Sequence, residues 1–201
     1  MVWVHPPKIA SRVFFDIIWE YPNDNNIYLT FDDGPVPGVT DWVLDVLNDF
    51  NIKATFFCLG SNAEKHPQIF KRIIKENHLI GSHGYNHLNG WKTKNKIYFD
   101  DIESASNVLN TNYYRPPYGK IKPSQIRILK KQMKIIMWSL LSRDFDVNST
   151  PEQCYNNVID NIKGGSIIVF HDSYKAEKNL KGSLIKIIEE LISKYSFGVI
   201  H

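Results

Sequence analysis

The sequence predicts an α/β fold in which parallel strands alternate with helices. Three observations carry that expectation. Short β-rich runs and segments of helical period alternate along the chain. The chemically functional residues follow the strand-like runs, as they do at the carboxyl ends of strands in parallel α/β folds. With 43% apolar and 22% charged side chains, 201 residues have the size and balance of one globular domain that can bury its own core.

Residues 27–31 (IYLTF) are the first β-rich run. Residues 41–50 follow, with Trp42, Val43, Val46, Leu47 and Phe50 on one helical face. Residues 54–59 (ATFFCL) read as a buried strand that ends at Gly60. Pro67 suits a first helical turn and opens a helix over 67–76 that turns Ile69, Phe70, Ile73 and Ile74 inward. Residues 79–82 are a short strand, and 97–109 are helical in period through Ile102, Ala105, Val108 and Leu109. A brief strand at 112–115 precedes a Pro-started helix at 123–132, and 135–141 (IIMWSLL) read as one strong strand. Thr150-Pro151-Glu152-Gln153 has the form of a capping box, starting a helix that should run to about Ile162 and stop at Gly164 and Gly165. Residues 166–170 are a strand, 180–195 a long amphipathic helix, and 197–200 a last strand. About seven strands result. An open doubly wound sheet and a shortened (β/α) barrel both fit, since a full eight-unit barrel takes ~250 residues.

The chain has no repeat, low-complexity tract or linker, so 1–201 read as one domain. Two cysteines, Cys58 and Cys154, exclude a disulfide scaffold and a cysteine-based zinc cluster, and leave a single bridge open. A net charge of +3 is too mild to imply a nucleic-acid partner. No run approaches the ~20 apolar residues of a membrane span. The first twenty residues do not read as an export signal, because Arg12 and Asp16 break the apolar run and no small-residue cleavage site follows.

Asp32 and Asp33 follow the first strand, in FDDGP. His83 follows the third, in GSHGYNH, with His87 four residues on. Arg115 ends the fourth, in RPPYG; Asp144 lies just past the fifth, in SRDFD; His171 follows the sixth, in IIVFHD. Taken singly, Asp-Asp-Gly-Pro is a turn, two spaced histidines are surface residues, and a histidine after a buried strand is a core residue. Five segments aimed at one end of a parallel sheet make a joint metal site the better reading. His83, His87 and one carboxylate of the Asp pair would be three protein ligands with a position left open, as in catalytic rather than structural sites. The mixed N/O set suits zinc, and also cobalt, nickel or iron. Adjacent aspartates point in different directions, so the second carboxylate is free to act as a base.

TFDDGP, His-x-x-x-His, RPPYG and the strand-end His171, in this order, resemble the polysaccharide deacetylase family (carbohydrate esterase family four, the NodB homology domain), from about residue 27 to 171. The resemblance implies a distorted (β/α) barrel of about seven parallel strands. It implies metal-dependent hydrolysis of N-acetyl groups on N-acetylglucosamine units of a glycan such as peptidoglycan or a chitin-like chain. It implies Asp32 as general base, Asp33, His83 and His87 as metal ligands, and Arg115 as the residue holding the base. Tyr118 would offer its backbone N–H to the oxyanion, Asp144 would tune His171, and His171 would be the general acid. Pro116, Tyr118, Phe145 and Val169 would line the substrate pocket. Three positions depart from the family pattern. Gly84 stands where Ser or Thr usually supplies a supporting hydrogen bond. Neither Ser139 nor Leu141 is acidic. Phe145 replaces Trp.

Related chemistries share these motifs: ester deacetylation of xylan-type glycans, and deformylation of a lipid-linked amino sugar. A metal-dependent glycan-binding protein without turnover is a reading of another class, against which the presence of both base and acid speaks. Trp91 suits stacking on a sugar ring or packing in its loop. Lys120, Lys122, Arg127, Lys130, Lys131 and Lys134 occur with no acidic residue among them and read as a solvated helix face, the alternative being attraction to an anionic polymer.

Overall fold

The computed structural model describes residues 4–5, 14 and 16–201. In chain order the elements are β1 (Asn26–Asp32), α1 (Thr40–Asp49), β2 (Thr55–Cys58), α2 (Gly60–Lys65), α3 (Pro67–Lys75), β3 (Leu79–Ser82) and α4 (Asn95–Leu109). There follow β4 (Tyr113–Tyr114), a 3₁₀ turn at Pro117–Gly119, α5 (Pro123–Leu129), β5 (Lys134–Ile135), β6 (Leu140–Leu141), α6 (Pro151–Ile159), β7 (Ile167–His171), α7 (Glu177–Leu191) and β8 (Ser196–Phe197).

Seven strands pair in the order β5-β4-β3-β2-β1-β7-β6, all parallel, and β8 adds to the start of β1. The two edge strands, β5 and β6, are joined by only four residues, Ile136 to Ser139. Flat, seven strands at ~4.8 Å spacing would hold their edges about 29 Å apart. The short connection reaches at most ~18 Å even when fully extended. The sheet therefore curls until its edges approach, which resolves the ambiguity between open sheet and barrel in favour of a distorted (β/α) barrel.

β1 runs through the middle of the sheet and is buried on both faces. Alternation puts Ile27, Leu29 and Phe31 outward, in one buried cluster with Leu44 and Leu47 of α1 and Leu184 and Ile188 of α7. Tyr28 belongs to an inner cluster with Phe57, Ile136 and Ile167. Thr30 and Asp32 share that inner face, where the Arg115 side chain meets them. Register then aligns the carboxyl ends. Asp32 lies opposite His171 across β1 and β7, and Ser82 lies opposite both Cys58 and Tyr114.

Most sequence expectations about elements hold within a few residues. The main correction is the single strand expected at 135–141, which is two short strands on opposite edges. Arg115 Nη2 donates to the Met137 carbonyl and Met137 N–H donates to Ile18, so this stretch spends its hydrogen bonds on closing the barrel. The six-residue α2 was not expected, and the helix begun by Thr150 ends at Ile159, where Asn161 N–H turns back to Val158. Its capping box forms in both directions, with Gln153 N–H to Thr150 Oγ1 at 3.2 Å and Thr150 N–H to Gln153 Oε1 at 2.9 Å. Ile74 is 50% exposed rather than inward, because it lies about 100° round the helix from the fully buried Ile73. Cys58 and Cys154 are both buried and free. Among the described residues no helix is long and apolar enough to cross a membrane. The expectation about an export signal falls on residues that lie largely outside the described ones.

Candidate active site

The carboxyl ends of the strands open into a cleft of about 1200 Å³. Asp32, Asp33, His83, His87, Pro116, Tyr118, Phe145, Val169, His171 and Trp91 all line it. Arg115 and Asp144 stand just behind, each fully buried.

Arg115 organises the floor. Its Nη1 donates to Asp32 Oδ1 at 2.7 Å and to Thr30 Oγ1 at 2.7 Å, and its Nη2 donates to the Met137 carbonyl at 2.9 Å. The guanidinium lies 4.0 Å from the centre of the Phe57 ring, so it is held by stacking as well as by hydrogen bonds. The Asp32 carboxylate is thereby fixed at one oxygen, with Oδ2 turned toward His83.

The backbone of Arg115 does a second job. Its carbonyl sits 2.8 Å from His83 Nδ1. A carbonyl can only accept, so Nδ1 carries the proton and Nε2 presents a lone pair to the cleft. Burial pushes the His83 pKa down to about 4, against the pull of Asp32, so the ring is neutral and able to ligate. His83 Nε2 is 3.8 Å and His87 Nε2 3.3 Å from Asp33 Oδ1. That oxygen is buried and has no hydrogen-bond donor among the described residues. A lone pair facing an orphaned carboxylate oxygen is an unfavourable arrangement unless a cation lies between them. The ligand atoms of Asp33, His83 and His87 lie within 4.8 Å of one another, which suits one small cation. Burial works to raise the Asp33 carboxyl, but nearby positive charge, that of His171 first, outweighs it and holds it below the usual range.

Across the cleft, Asp144 Oδ1 meets His171 Nδ1 at 2.8 Å and also accepts from Phe145 N–H at 3.0 Å. The Phe145 ring packs edge-on to His171 at 4.9 Å, an apolar wall where the family pattern has Trp. Tyr118 has φ 59° and 60% exposure, and its ring packs edge-on to His87 at 4.5 Å. Trp91 is 58% exposed, with Nε1 donating to the Ile121 carbonyl and Lys120 Nζ 4.0 Å over its ring. The basic run divides: Lys120 and Lys122 line the cleft, joined by Lys175 from the segment after His171, whereas Arg127, Lys130, Lys131 and Lys134 are exposed and do not.

Sequence reasoning missed two buried carboxylates. Asp172 Oδ1 accepts from Gly34 N–H and Oδ2 from Thr40 Oγ1 (3.0 and 2.6 Å), so it fastens the Asp-Asp-Gly-Pro turn to the start of α1. Its position beside His171 in VFHD was the available signal. Asp101 of α4 accepts from Tyr85 N–H, Asn86 N–H and Asn86 Nδ2, all within the loop between the two histidines. Gly84 has no side chain to supply the hydrogen bond usual at its position, and Asp101 supports the loop from α4 instead. Gly84 has φ +79°, and a side chain there would come within 2.8 Å of Asp101 Oδ2, so the glycine and the carboxylate occupy the place together.

The sequence pattern described as polysaccharide deacetylase matches residues 20–134, more than half of the chain. The chain belongs to the polysaccharide deacetylase family. Among its curated relatives, a peptidoglycan-N-acetylglucosamine deacetylase of Bacillus cereus (strain ATCC 14579) is 40% identical over 182 residues, covering 86% of this chain and 65% of the relative. A second protein of that description from the same strain is 33% identical over 184 residues, covering 87% of this chain and 86% of the relative. The chain thus spans just under two thirds of the first relative's length and most of the second's. Among solved structures, the crystal structure of the Bc1960 peptidoglycan N-acetylglucosamine deacetylase superposes with a TM-score of 0.90 at 34% identity, over 97% of this chain and 95% of that one. The curled sheet of this polysaccharide deacetylase family member is therefore the family's distorted barrel, with the cleft at its carboxyl-terminal end.

Proposed function

We propose that the chain is a metal-dependent hydrolase that removes N-acetyl groups from N-acetylglucosamine units of a glycan of the peptidoglycan type. The observation that carries this reading is the convergence on one cleft of a carboxylate held by Arg115, the Asp33, His83 and His87 ligand atoms, and a histidine paired with Asp144. A binding protein without turnover needs no such acid–base pair.

Asp33, His83 and His87 would hold a divalent cation, zinc suiting the donor set best, which would supply a Lewis acid for the acetyl carbonyl and make an attacking water easier to deprotonate. Asp32 takes the proton from that water, its carboxylate aimed by Arg115. The backbone N–H of Tyr118 donates to the oxyanion that develops on the carbonyl. His171 gives its proton to the departing amine, which is too basic to leave as an anion. Burial opposes a charge on His171, yet the Asp144 carboxylate lifts its pKa to about 9, so the proton is present at neutral pH. Phe145 and Val169 form the apolar wall for the acetyl methyl group.

Three lysines line the cleft, and among the described lining residues Asp32 and Asp33 are the only acids. That balance favours a glycan that carries carboxylates over neutral chitin or xylan chains. The test is acetate release from peptidoglycan fragments and from chitooligosaccharides, before chelation, after chelation, and after a divalent metal is restored. Release that disappears and returns supports the reading. No release from any acetylated amino sugar under any metal sinks it.

A further inference from the structure

We propose that Asp101 is a positioning residue that sets the spacing of the His83 and His87 imidazoles, and with it the affinity of the site for its cation. The proposal rests on the reading of Asp33, His83 and His87 as a cation site.

The two histidines are anchored unequally. His83 continues β3, its N–H donates to Cys58 O at 2.8 Å, and its ring is tied to the Arg115 carbonyl. The His87 ring has no hydrogen-bond partner of that kind among the described residues and packs edge-on against the exposed Tyr118. Its place is therefore decided by the backbone of residues 84 to 87. That backbone is unusual at both ends, with φ +79° at Gly84 and φ 59° at His87, a conformation that non-glycine residues adopt at a cost.

The loop is pinned from two sides. Gly60 and Ser61, at the start of α2, take its carbonyls: Gly60 N–H donates to Gly84 O at 3.0 Å and Ser61 Oγ to Tyr85 O at 2.7 Å. The N–H groups converge on Asp101, which is 7% exposed and accepts at 2.8, 2.9 and 2.9 Å. A carboxylate is an acceptor at both oxygens, so it alone among side chains of this length can take Tyr85 N–H on one oxygen and the two Asn86 donors on the other. Asp101 belongs to α4, which contributes no ligand, so the spacing of the imidazoles is referred to a rigid helix rather than to the loop itself. Groups that orient ligands in this way typically change metal affinity 10–100-fold when altered.

The test measures Zn²⁺ and Co²⁺ affinity of the full chain by competition with a chromophoric chelator, well below each variant's unfolding midpoint. Asp101→Asn keeps the shape but presents a donor where an acceptor is needed. We expect its Kd to weaken about 10–100-fold, with a shift in the visible bands of bound Co²⁺. Asn86→Ala removes one of the three bonds at an exposed position, and should give a smaller loss in the same direction. Tyr98→Phe, which breaks the buried Tyr98–Tyr114 hydroxyl pair on the same helix, should lower the melting temperature and leave Kd and the Co²⁺ bands unchanged. Parental affinity in Asp101→Asn, or in Asn86→Ala should the former not fold, overturns the proposal. So does an equal loss in Tyr98→Phe, which would make the effect one of general destabilisation. A parent chain that takes up no cation instead defeats the metal reading of the site.

Discussion

The Asp144 carboxylate grips His171 at two points: Oδ2 accepts its backbone N–H at 2.7 Å and Oδ1 meets its ring Nδ1 at 2.8 Å. The first bond fixes where the residue sits and the second fixes which ring nitrogen faces the cleft. Burial is the largest influence on His171 and works against its charge, but Asp144 first, joined by Asp33 and Asp32, more than offsets it, raising the pKa to about 9. A general acid of this kind is loaded at neutral pH and empties as pH rises through its pKa. Asp144→Asn should therefore move the alkaline limb of the kcat/KM profile down by at least one pH unit. An alkaline limb that stays in place would remove His171 as the group titrating there.

Asp32 and Asp33 are neighbours with separate partners. Asp32 Oδ1 is taken by Arg115, and Asp33 Oδ1 faces both imidazoles. Asp32→Asn should leave cation affinity within a few-fold and lower kcat by about 10²–10⁴, the usual contribution of a positioned base. Isothermal titration with Zn²⁺, run beside initial rates, checks both halves. A near-parental rate would mean that another group takes the proton.

Arg115 is fully buried and is the direct partner of a nearly buried carboxylate. Arg115→Met removes the countercharge and leaves Asp32 in a low-dielectric floor. Breaking one side of such a pair costs about 3–5 kcal/mol. Urea denaturation should show that loss in the midpoint. Much of it should be recovered in the double variant with Asp32→Asn, because no uncompensated charge then remains. Simple additivity of the two changes would show that the pairing is not what makes Arg115 matter.

Much of this architecture can be read from one sequence, because strong local signals and global packing agree. The Thr150 capping box, the Pro67 helix start and the β-rich run of β1 each specify an element by local chemistry alone. The chemistry-bearing residues were legible because parallel strands deliver their carboxyl ends to one place. What was not legible depends on distant partners. Residues 135–141 look like one strand, and break into two only because Arg115, Ile18 and barrel closure claim Met137. Asp101 reads as a polar residue in a helix. Its role exists only because α4 packs beneath a loop that begins fifteen residues or more before it in the chain.

His78 carries a pH dependence separate from the cleft. Its Nδ1 accepts the Ala54 N–H at 3.2 Å between β2 and β3, which requires that nitrogen to be unprotonated. Burial, helped by Lys53, lowers its pKa to about 4. The unfolded chain, with an ordinary histidine near 6.5, takes up the proton first as pH falls. The contribution of His78 is thus complete above about pH 6.5 and is lost progressively toward pH 4. In chelated protein, His78→Asn keeps an acceptor and should flatten the decline in stability between pH 7 and 5. An unchanged slope would assign the acid sensitivity elsewhere, His83 being the next group depressed to the same range.

The lysines at the mouth of the cleft predict how substrates are ranked. Lys120 Nζ rides 4.0 Å over Trp91 and Lys175 Nζ lies 5.6 Å from the centre of Phe145, so each cation stands beside an aromatic face that a sugar ring could cover. A glycan with carboxylates on sugars flanking the acetylated one would gain from both, while a neutral chain of the same length would gain only the stacking. The effect acts on binding and not on the reacting atoms. Lys120→Met with Lys175→Met should therefore raise KM for a carboxylate-bearing peptidoglycan fragment about three- to tenfold, as expected for exposed charges worth up to ~1 kcal/mol each. Its kcat, and KM for a neutral chitooligosaccharide, should stay within about twofold. Raising salt toward 1 M, where screening acts within ~3 Å, should weaken binding of the charged glycan to the parent chain and scarcely affect the variant. Equal KM values for charged and neutral glycans in the parent chain would show that the cations are solvated bystanders.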